Sequence, residues 1–259
     1  MVRTLLVRGL LVGLAAGLLA AVFAFFVGEP QVDNAIAIEQ AASQTAEAGH
    51  DDGAAPHSHA EDEAAPAHSH GEDELVSRPG QQAGLFLALA LYGVSVGGIF
   101  GLAYAGLRGR VGPRSDRAFA AFLAGAAFVA AVLVPFLKYP ANPPAVGDPE
   151  TIGSRTTLYL VMVAIGLLSL GVAAACARQF PRYGPAAGTA GFLVPVIVAW
   201  ALLPTVDEVP GGFPATLLWD FRVASLGTQL VLWTSIGVLY GLVTRRGAAS
   251  APMRDAVPS

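Results

Sequence analysis

The stretch AGLFLALALYGVSVGGIFGLAYAGL, residues 83–107, decides the fold of this chain because it contains no charged residue. The hydrocarbon core of a membrane is about 30 Å thick, and a helix needs about 20 apolar residues to cross it. Backbone N–H groups find no water at that depth, so a span must satisfy them within its own helix. The stretch also lacks the alternation of a barrel strand. We therefore predict a transmembrane helix here.

Five further stretches of similar length are also uncharged. They cover residues 9–28, 118–137, 156–177, 183–206 and 223–244. Only 13% of the chain is charged, against about 25% in a soluble domain. The predicted fold class is therefore all-α, a polytopic bundle of about six transmembrane helices. Pro135, Pro195 and Pro204 are expected to kink or end their helices.

The first span begins MVRTLLVRG, and a basic start followed by an apolar run is also typical of a signal peptide. In signal peptides the apolar region is about 7–15 residues long and a small-residue cleavage site follows it. Here the run is about 20 residues long and ends in Phe25, Phe26 and Val27, with no convincing Ala-x-Ala site. We predict a retained span.

The basic residues predict the orientation, because cytoplasmic loops carry an excess of Lys and Arg. With the N-terminus in the cytoplasm and the spans alternating, all acidic residues except Asp116 and Asp255 lie outside. The arginines then on the inner side are Arg3, Arg8, Arg108, Arg110, Arg114, Arg117, Arg178, Arg182, Arg245, Arg246 and Arg254. Both termini are therefore expected in the cytoplasm.

This topology divides the chain into four parts. We expect a first transmembrane helix over 1–28, an extracytoplasmic loop over 29–82, a five-helix transmembrane core over 83–244 and a cytoplasmic tail over 245–259. The start of the loop has few helix breakers and could extend as a short surface helix. Residues 45–80 are rich in Ala, Pro, Gly, Glu, Asp and His, and such a composition predicts disorder.

All five histidines lie in this loop, and part of their pattern is a repeat. HSHAEDE begins at residue 57 and HSHGEDE at residue 68. In an extended chain residues i and i+2 point to the same side, so each pair can offer two imidazoles to one ion. We predict that the histidines capture a divalent transition metal, and they are His50, His57, His59, His68 and His70. The alternative is a solvated acidic linker with incidental histidines.

These ligands do not by themselves select one metal. Imidazole suits Co, Ni, Zn and Cu ions, and by the Irving–Williams order an open site should hold Cu, Ni or Zn more tightly than Co. The flanking acids raise the local concentration of cations. Because imidazole must be neutral to ligate, capture should weaken below about pH 6.

Acidic residues also stand in the two other outer loops. Asp148 and Glu150 lie in LKYPANPPAVGDPETIGSR, and Asp207 and Glu208 lie in LLPTVDEVPGGFP. They could form a vestibule that receives a cation. They could equally be paired with basic residues that lock the loops, namely Lys138, Arg155 and Arg222.

The motifs of common enzymes and pumps are absent from the sequence. It contains no P-loop, no H-E-x-x-H and no G-x-S-x-G, so we expect no enzyme and no nucleotide-binding site. We also expect no nucleic-acid partner and no organic cofactor. The predicted spans contain no His, Asp or Glu, whereas ion-coupled pumps usually carry such groups at mid-membrane. The chain therefore looks like a passive or partner-driven pathway.

Several motifs together resemble the CbtA family, bacterial membrane proteins predicted to be cobalt-transporter subunits. They are VGEPQVDNAIAIEQA, the His-rich loop, LKYPANPPAVGDPETIGSRTTLYL and LLPTVDEVPGGFPATLLWDFRVASLGTQLVLW. The resemblance covers nearly the whole chain and implies cobalt uptake linked to cobalamin synthesis, in the inner membrane of a bacterium. It also implies a small one-span, His-bearing partner, CbtB.

The leading hypothesis is therefore a subunit for uptake of a divalent metal, cobalt first, that captures the ion on the His-rich loop. A metal-responsive membrane sensor or interaction protein without transport is the alternative from another class. Nickel or zinc specificity remains open within the transport class.

Overall fold

The computed structural model describes residues 2–48 and 77–249, and the regular structure of these residues is helical. The eight α-helices are α1 (Val2–Phe23), α2 (Glu29–Ala48), α3 (Arg78–Leu107), α4 (Asp116–Phe128), α5 (Val134–Lys138), α6 (Ile152–Gln179), α7 (Gly184–Leu202) and α8 (Ala215–Ala249). Two π-helical turns, Ala24–Gly28 and Val129–Leu133, join α1 to α2 and α4 to α5. Short 3₁₀ turns, Pro149–Thr151 and Pro181–Tyr183, precede α6 and α7.

Six helical segments among the described residues are long and apolar enough to cross a membrane, which confirms the predicted fold class. They are Val2–Ala42, Arg78–Leu107, Asp116–Lys138, Ile152–Gln179, Pro181–Leu202 and Ala215–Thr244. The His-rich tract and the C-terminal end of the tail lie outside the described residues. The expectation of disorder over residues 45–80 is wrong at its two ends, where 45–48 belong to α2 and 78–80 to α3, and it stays a prediction for the tract between them.

Several element boundaries differ from the sequence expectation, and α3 and α8 begin at Arg78 and Ala215, before the predicted starts at residues 83 and 223. The fifth span ends at Leu202 and not at residue 206, because the residue before a proline avoids helical backbone and Leu203, before Pro204, is extended. The first span does not stop at Gly28 but continues through the π-helical turn into α2. The surface helix expected at the start of the loop is thus a continuation of the first span.

The two π-helical turns have a common sequence cause. Each ends two residues before a proline, Pro30 in one case and Pro135 in the other. A proline ring inside a helix clashes with the carbonyl four residues earlier and offers no N–H. A locally wider turn displaces that carbonyl. In both turns the backbone hydrogen bond accordingly spans five residues, from Glu29 N–H to Ala24 O and from Val134 N–H to Val129 O.

α1 and α3 pack along a line of glycines. A Cβ added to Gly9 would overlap the Gly97 carbonyl oxygen, and one added to Gly13 would overlap that of Gly93. Since hydrophobic burial does not drive helix association inside a lipid bilayer, close approach of small residues is what holds such helices together. The pairing runs antiparallel, so consecutive spans alternate in direction.

The helices form two packing units. The first contains α1, α3, α4 and α8 around Tyr104, Phe119 and Tyr240, whose side chains are fully buried. The second is the α6–α7 hairpin, which packs Met162 and Val196 against Val134 of α5. Gly166 brings α6 against the π-helical turn, where a Cβ would overlap the Ala130 carbonyl oxygen. The first unit is called the core and the second the hairpin below.

Charge separates between the two ends of the bundle. At the basic end α1 begins and α3 and α6 end. Among the described residues at this end one is acidic, Asp116, and it pairs with Arg108. At the acidic end α5 and α7 end, and α3, α6 and α8 begin. There Arg78 of α3 pairs with Glu29 of α2 at 2.8 Å, so the two helices that flank the undescribed tract are tied at their base.

Candidate functional site

A cavity of about 520 Å³ opens at the acidic end, between the hairpin and the core. One wall is a face of α6 that presents Ile152, Arg155, Thr156 and Tyr159. These positions differ by three, four and seven residues and therefore share one side of a helix. The opposite wall is the equivalent face of α8, with Arg222, Ser225, Leu226 and Gln229. The two walls belong to different packing units.

The proline-rich loop between α5 and α6 borders this cavity and is held from α8. Arg222 Nε donates to Ala141 O at 3.2 Å, and Arg222 Nη2 donates to Asn142 Oδ1 at 3.0 Å. Prolines in the loop lack N–H groups and fix its backbone angles. Arg222 therefore fixes a preformed loop through neutral oxygens and does not pair directly with an acid.

Tyr139 fastens the start of the same loop to the end of α7. Its hydroxyl donates to Pro204 O at 2.7 Å. The neighbouring Lys138 Nζ donates to Trp200 O at 3.0 Å. Burial raises the pKa of the Tyr139 phenol above its ordinary value, so the group stays a neutral donor well into the alkaline range.

The other edge of the loop is held from α6 by Arg155. Its Nη1 lies 3.3 Å from Glu208 Oε2, and its Nη2 donates to Asp148 O at 3.4 Å. Asp148 N–H also donates to Glu208 Oε2, at 3.1 Å. Gly147 has φ +111°, and a Cβ there would overlap the Arg155 guanidinium. One arginine thus contacts the α5–α6 loop and the α7–α8 loop together.

The acidic residues predicted from the sequence have different surroundings. Asp207, which is exposed, and Glu208, which is half-buried, line the cavity, whereas Asp148 and Glu150 are exposed and lie outside its lining. Asp148 Oδ1 accepts from Glu150 N–H at 2.9 Å, and Asp148 O accepts from Thr151 Oγ1 at 2.9 Å, which shapes the turn into α6. Among the described residues, the carboxylates in the cavity lining are therefore those of Asp207 and Glu208.

The sequence left two interpretations of these acids, a vestibule for a cation and pairing with basic residues. For Glu208 the structure shows pairing with a basic residue. Lys138 and Arg222 bind neutral oxygens, and Arg155 holds the carboxylate of Glu208. Asp207 has no hydrogen bond or ion pair within the described part of the chain, although its charge attracts Arg222. Within that part, no group of three or more His, Cys, Asp or Glu side chains is placed to hold a metal ion.

The predicted capture residues His50, His57, His59, His68 and His70 lie outside the described residues. Their role therefore stays a prediction from the sequence. The described chain ends before them at Ala48 and resumes after them at Ser77, and both of these positions are at the acidic end.

Sequence reasoning missed the polar residues inside the spans. Ser225 and Gln229 share one face of α8 with Arg222, which the sequence indicated only as a loop-locking residue, and Gln229 Oε1 is buried without a hydrogen-bond partner. Below Gln229 the core side of α8 is closed by Leu232 and Ile236, which are at most 1% exposed. A search for charged residues does not find amides. The spacing of three and seven residues between these polar positions was the available signal.

A family model described as "Probable cobalt transporter subunit (CbtA)" matches residues 2–245, nearly the whole chain. This chain belongs to the CbtA family. The CbtA resemblance is therefore confirmed. The family match and the six apolar helices together identify the chain as a multi-pass membrane protein and a transporter subunit. Its substrate class is a metal ion, and the family description names no catalytic activity. No curated protein and no solved structure matches the chain.

Proposed function

We propose that this CbtA protein is the membrane subunit for uptake of a divalent transition metal ion, cobalt, and that the uptake is linked to cobalamin synthesis. The observation that carries the proposal is the family match over residues 2–245. The cavity between the hairpin and the core supplies the place where an ion enters the bundle.

In this proposal the acidic end faces outward from a bacterial inner membrane, and both termini are cytoplasmic. The separation of charge supports this orientation, because basic residues remain on the cytoplasmic side. Arg108, Arg110 and Arg178 meet at the basic end, where Arg178 Nη2 donates to Arg110 O at 2.9 Å. The cavity mouth then opens to the outside.

Capture is assigned to the five histidines between the end of α2 and the start of α3. Two copies of H-S-H flanked by acids offer imidazole ligands and a local excess of negative charge. A set of ligands on a short tract binds and releases quickly in comparison with a closed site, which suits delivery. The ion then passes to the acids at the mouth, of which Asp207 and Glu208 line the cavity.

We assign the energy source and the direction of metal transport to a partner protein. The six uncharged stretches predicted as spans contain no Asp or Glu, and the chain has no P-loop. We propose that a small one-span, His-bearing membrane protein of the CbtB kind associates with this subunit in the lipid bilayer.

The test is uptake of radioactive cobalt at limiting concentration. Cells with the wild-type protein are compared with cells that carry all five histidines changed to Ala, at matched membrane abundance. The proposal expects a several-fold loss of uptake in the variant and a return toward the wild-type rate at saturating cobalt. Unchanged uptake at limiting cobalt would remove the capture step.

Purified protein in liposomes separates transport from sensing. A transporter admits radioactive cobalt into the lumen, with the CbtB-like partner added if the subunit alone is inactive. A sensor binds the ion and admits none under either condition. Competition by nickel and zinc in the same vesicles then establishes the order of preference among the metals.

A further inference from the structure

We propose that the Arg155 guanidinium is a built-in cation that occupies Glu208, and that an incoming divalent metal ion replaces it and so releases the clamp between the two loops at the cavity mouth. This inference rests on the proposed function, because it describes how the same acids receive the ion. The pair Arg155–Glu208, with the Asp148 carbonyl, is called the latch below.

The latch joins the two connections between the hairpin and the core at the acidic end. The α5–α6 loop leads into the hairpin and the α7–α8 loop leads out of it. Arg155 contacts Asp148 O of the first loop and Glu208 of the second. Asp148 N–H donates to the same Glu208 oxygen at 3.1 Å, so an ion that takes this carboxylate replaces its contacts with both Arg155 and Asp148. Tyr139 still holds the start of that loop to Pro204 O, so opening the latch frees the Arg155 edge of the cavity mouth.

The geometry of the latch favours exchange. Its two nitrogen–oxygen distances are 3.3 Å and 3.4 Å, whereas strong charge-assisted bonds are about 2.7–2.9 Å long. The side chains are 24% and 19% exposed, and partly solvated ion pairs contribute little stability. Arg155 Nε is buried without a partner. A doubly charged ion with oxygen-ligand affinity therefore competes against a singly charged, incompletely bonded guanidinium.

Charge in the cavity is balanced only while the latch is closed. Asp207 and Glu208 face Arg155 and Arg222 there. Withdrawal of Arg155 leaves two carboxylates against one guanidinium, and the metal ion restores the balance. Arg222 is not an equivalent competitor, since it binds Ala141 O and Asn142 Oδ1 and releases no carboxylate when it moves.

The test is a double-mutant cycle on cobalt binding. All variants carry the five histidines changed to Ala, so that binding at the tract does not contribute. Equilibrium dialysis with radioactive Co²⁺ compares this parent with Arg155→Gln, Glu208→Gln and the double variant. We expect Arg155→Gln to tighten binding about tenfold, which corresponds to about 1.4 kcal/mol. Glu208→Gln should weaken binding, and the double variant should show no gain over Glu208→Gln.

Two further variants separate the latch from general effects. Arg155→Lys keeps the charge and the fold, and its affinity should remain within about twofold of the parent. Arg222→Gln removes an equal charge from the cavity, and any gain it produces should persist when Glu208 is also changed to Gln. A gain in Co²⁺ affinity from Arg155→Gln that persists when Glu208 is also changed to Gln would overturn the proposal. So would an Arg155→Gln variant that elutes as the folded protein and binds Co²⁺ with the affinity of the parent.

Hydrogen exchange gives a second readout. Addition of Co²⁺ to the parent should raise amide exchange over residues 141–155, and Arg155→Gln should show the raised exchange without metal. No change with Co²⁺ in a parent that binds the ion would also overturn the proposal. Failure of the proposed function is distinct, because it appears as absence of cobalt from the lumen of liposomes whatever the binding cycle shows.

Discussion

The carbonyl oxygen of Gly93 in α3 lies directly against the backbone of Gly13 in α1, with no space for a Cβ on either residue. The same arrangement recurs one turn away at Gly9 and Gly97. These contacts bring two membrane helices within backbone distance, and the position of α1 depends on them.

Gly13→Ala should therefore destabilise the bundle. The added methyl group forces α1 and α3 apart, and overpacking of this kind costs about 1–3 kcal/mol. Thermal unfolding in detergent measures the effect. Gly125→Ala is the matched control, since Gly125 of α4 has open space where a Cβ would stand, and it should leave the midpoint unchanged or slightly raised. Equal midpoints for the two variants would show that the line of glycines does not hold the helices.

Tyr139→Phe should loosen the acidic end. The change removes the hydrogen bond to Pro204 O, and the net contribution of such a bond to stability is about 0.5–1.5 kcal/mol. Tyr183→Phe is the control, because Tyr183 is exposed. The difference in midpoint between wild type and Tyr139→Phe should vanish if the hydroxyl does not donate in the folded protein.

The Tyr139 bond also predicts a dependence on alkaline pH. Burial raises the folded-state pKa of this phenol above its ordinary value near 10, so folding favours the protonated form. The stabilisation is then complete below about pH 10 and is lost as the pH rises through the raised pKa. Wild type and Tyr139→Phe should therefore differ in midpoint by a constant amount up to that pH and converge above it. Unfolding scans between pH 8 and pH 11.5 measure this difference.

Gln229→Leu should reduce cobalt uptake without loss of stability. Gln229 Oε1 is buried without a partner, although the amide also interacts with the Tyr92 hydroxyl. Replacement by an apolar group removes an unsatisfied acceptor together with that contact, so the unfolding midpoint should stay close to the wild-type value. Uptake should fall about tenfold, because the floor of the cavity loses the oxygen that can accept from the water ligands of an ion. Thr234→Val, on the exposed surface of α8, is the control. Normal uptake in Gln229→Leu would place the ion path elsewhere.

Uptake through the His-rich tract should decline in acid. Free imidazole has a pKa of about 6.5, and the protonated ring does not ligate a metal. At limiting cobalt the wild-type rate should fall several-fold between pH 7 and pH 5.5. The variant with all five histidines changed to Ala should be slow and nearly independent of pH over that range. An equal decline in both proteins would assign the effect to another group.

The number of spans could be predicted because it depends on local properties. An uncharged run of about 20 residues has one stable solution in lipid, a helix, and Pro204 ends the fifth span by an equally local effect. The sequence indicated a short surface helix after Gly28 but not that this helix continues the first span, because the drop in hydrophobicity after Gly28 marks the end of the apolar run and not the end of the helix. A π-helical turn at that point accommodates the proline within the helix.

The candidate site could be predicted only in part. The sequence indicates that Glu208 and Arg155 stand at one end of the bundle, but 53 residues of chain separate them and only the packing of α6 beside the α7–α8 loop brings them together. Gln229 carries no charge, and its depth in the cavity depends on how α8 faces α6. Contacts between distant segments are set by packing, which a single sequence does not reveal.

The continuous first helix extends well beyond the point at which it is tied to the bundle. α2 is tied to the bundle at Asp33, which pairs with Arg78, and it continues to Ala48, about 22 Å further at 1.5 Å per residue. Electrostatic screening at physiological salt acts over about 8 Å. Charges at the Ala48 end of α2 and charges at its Asp33 end are therefore screened from each other, so the two ends of this helix act as separate electrostatic environments.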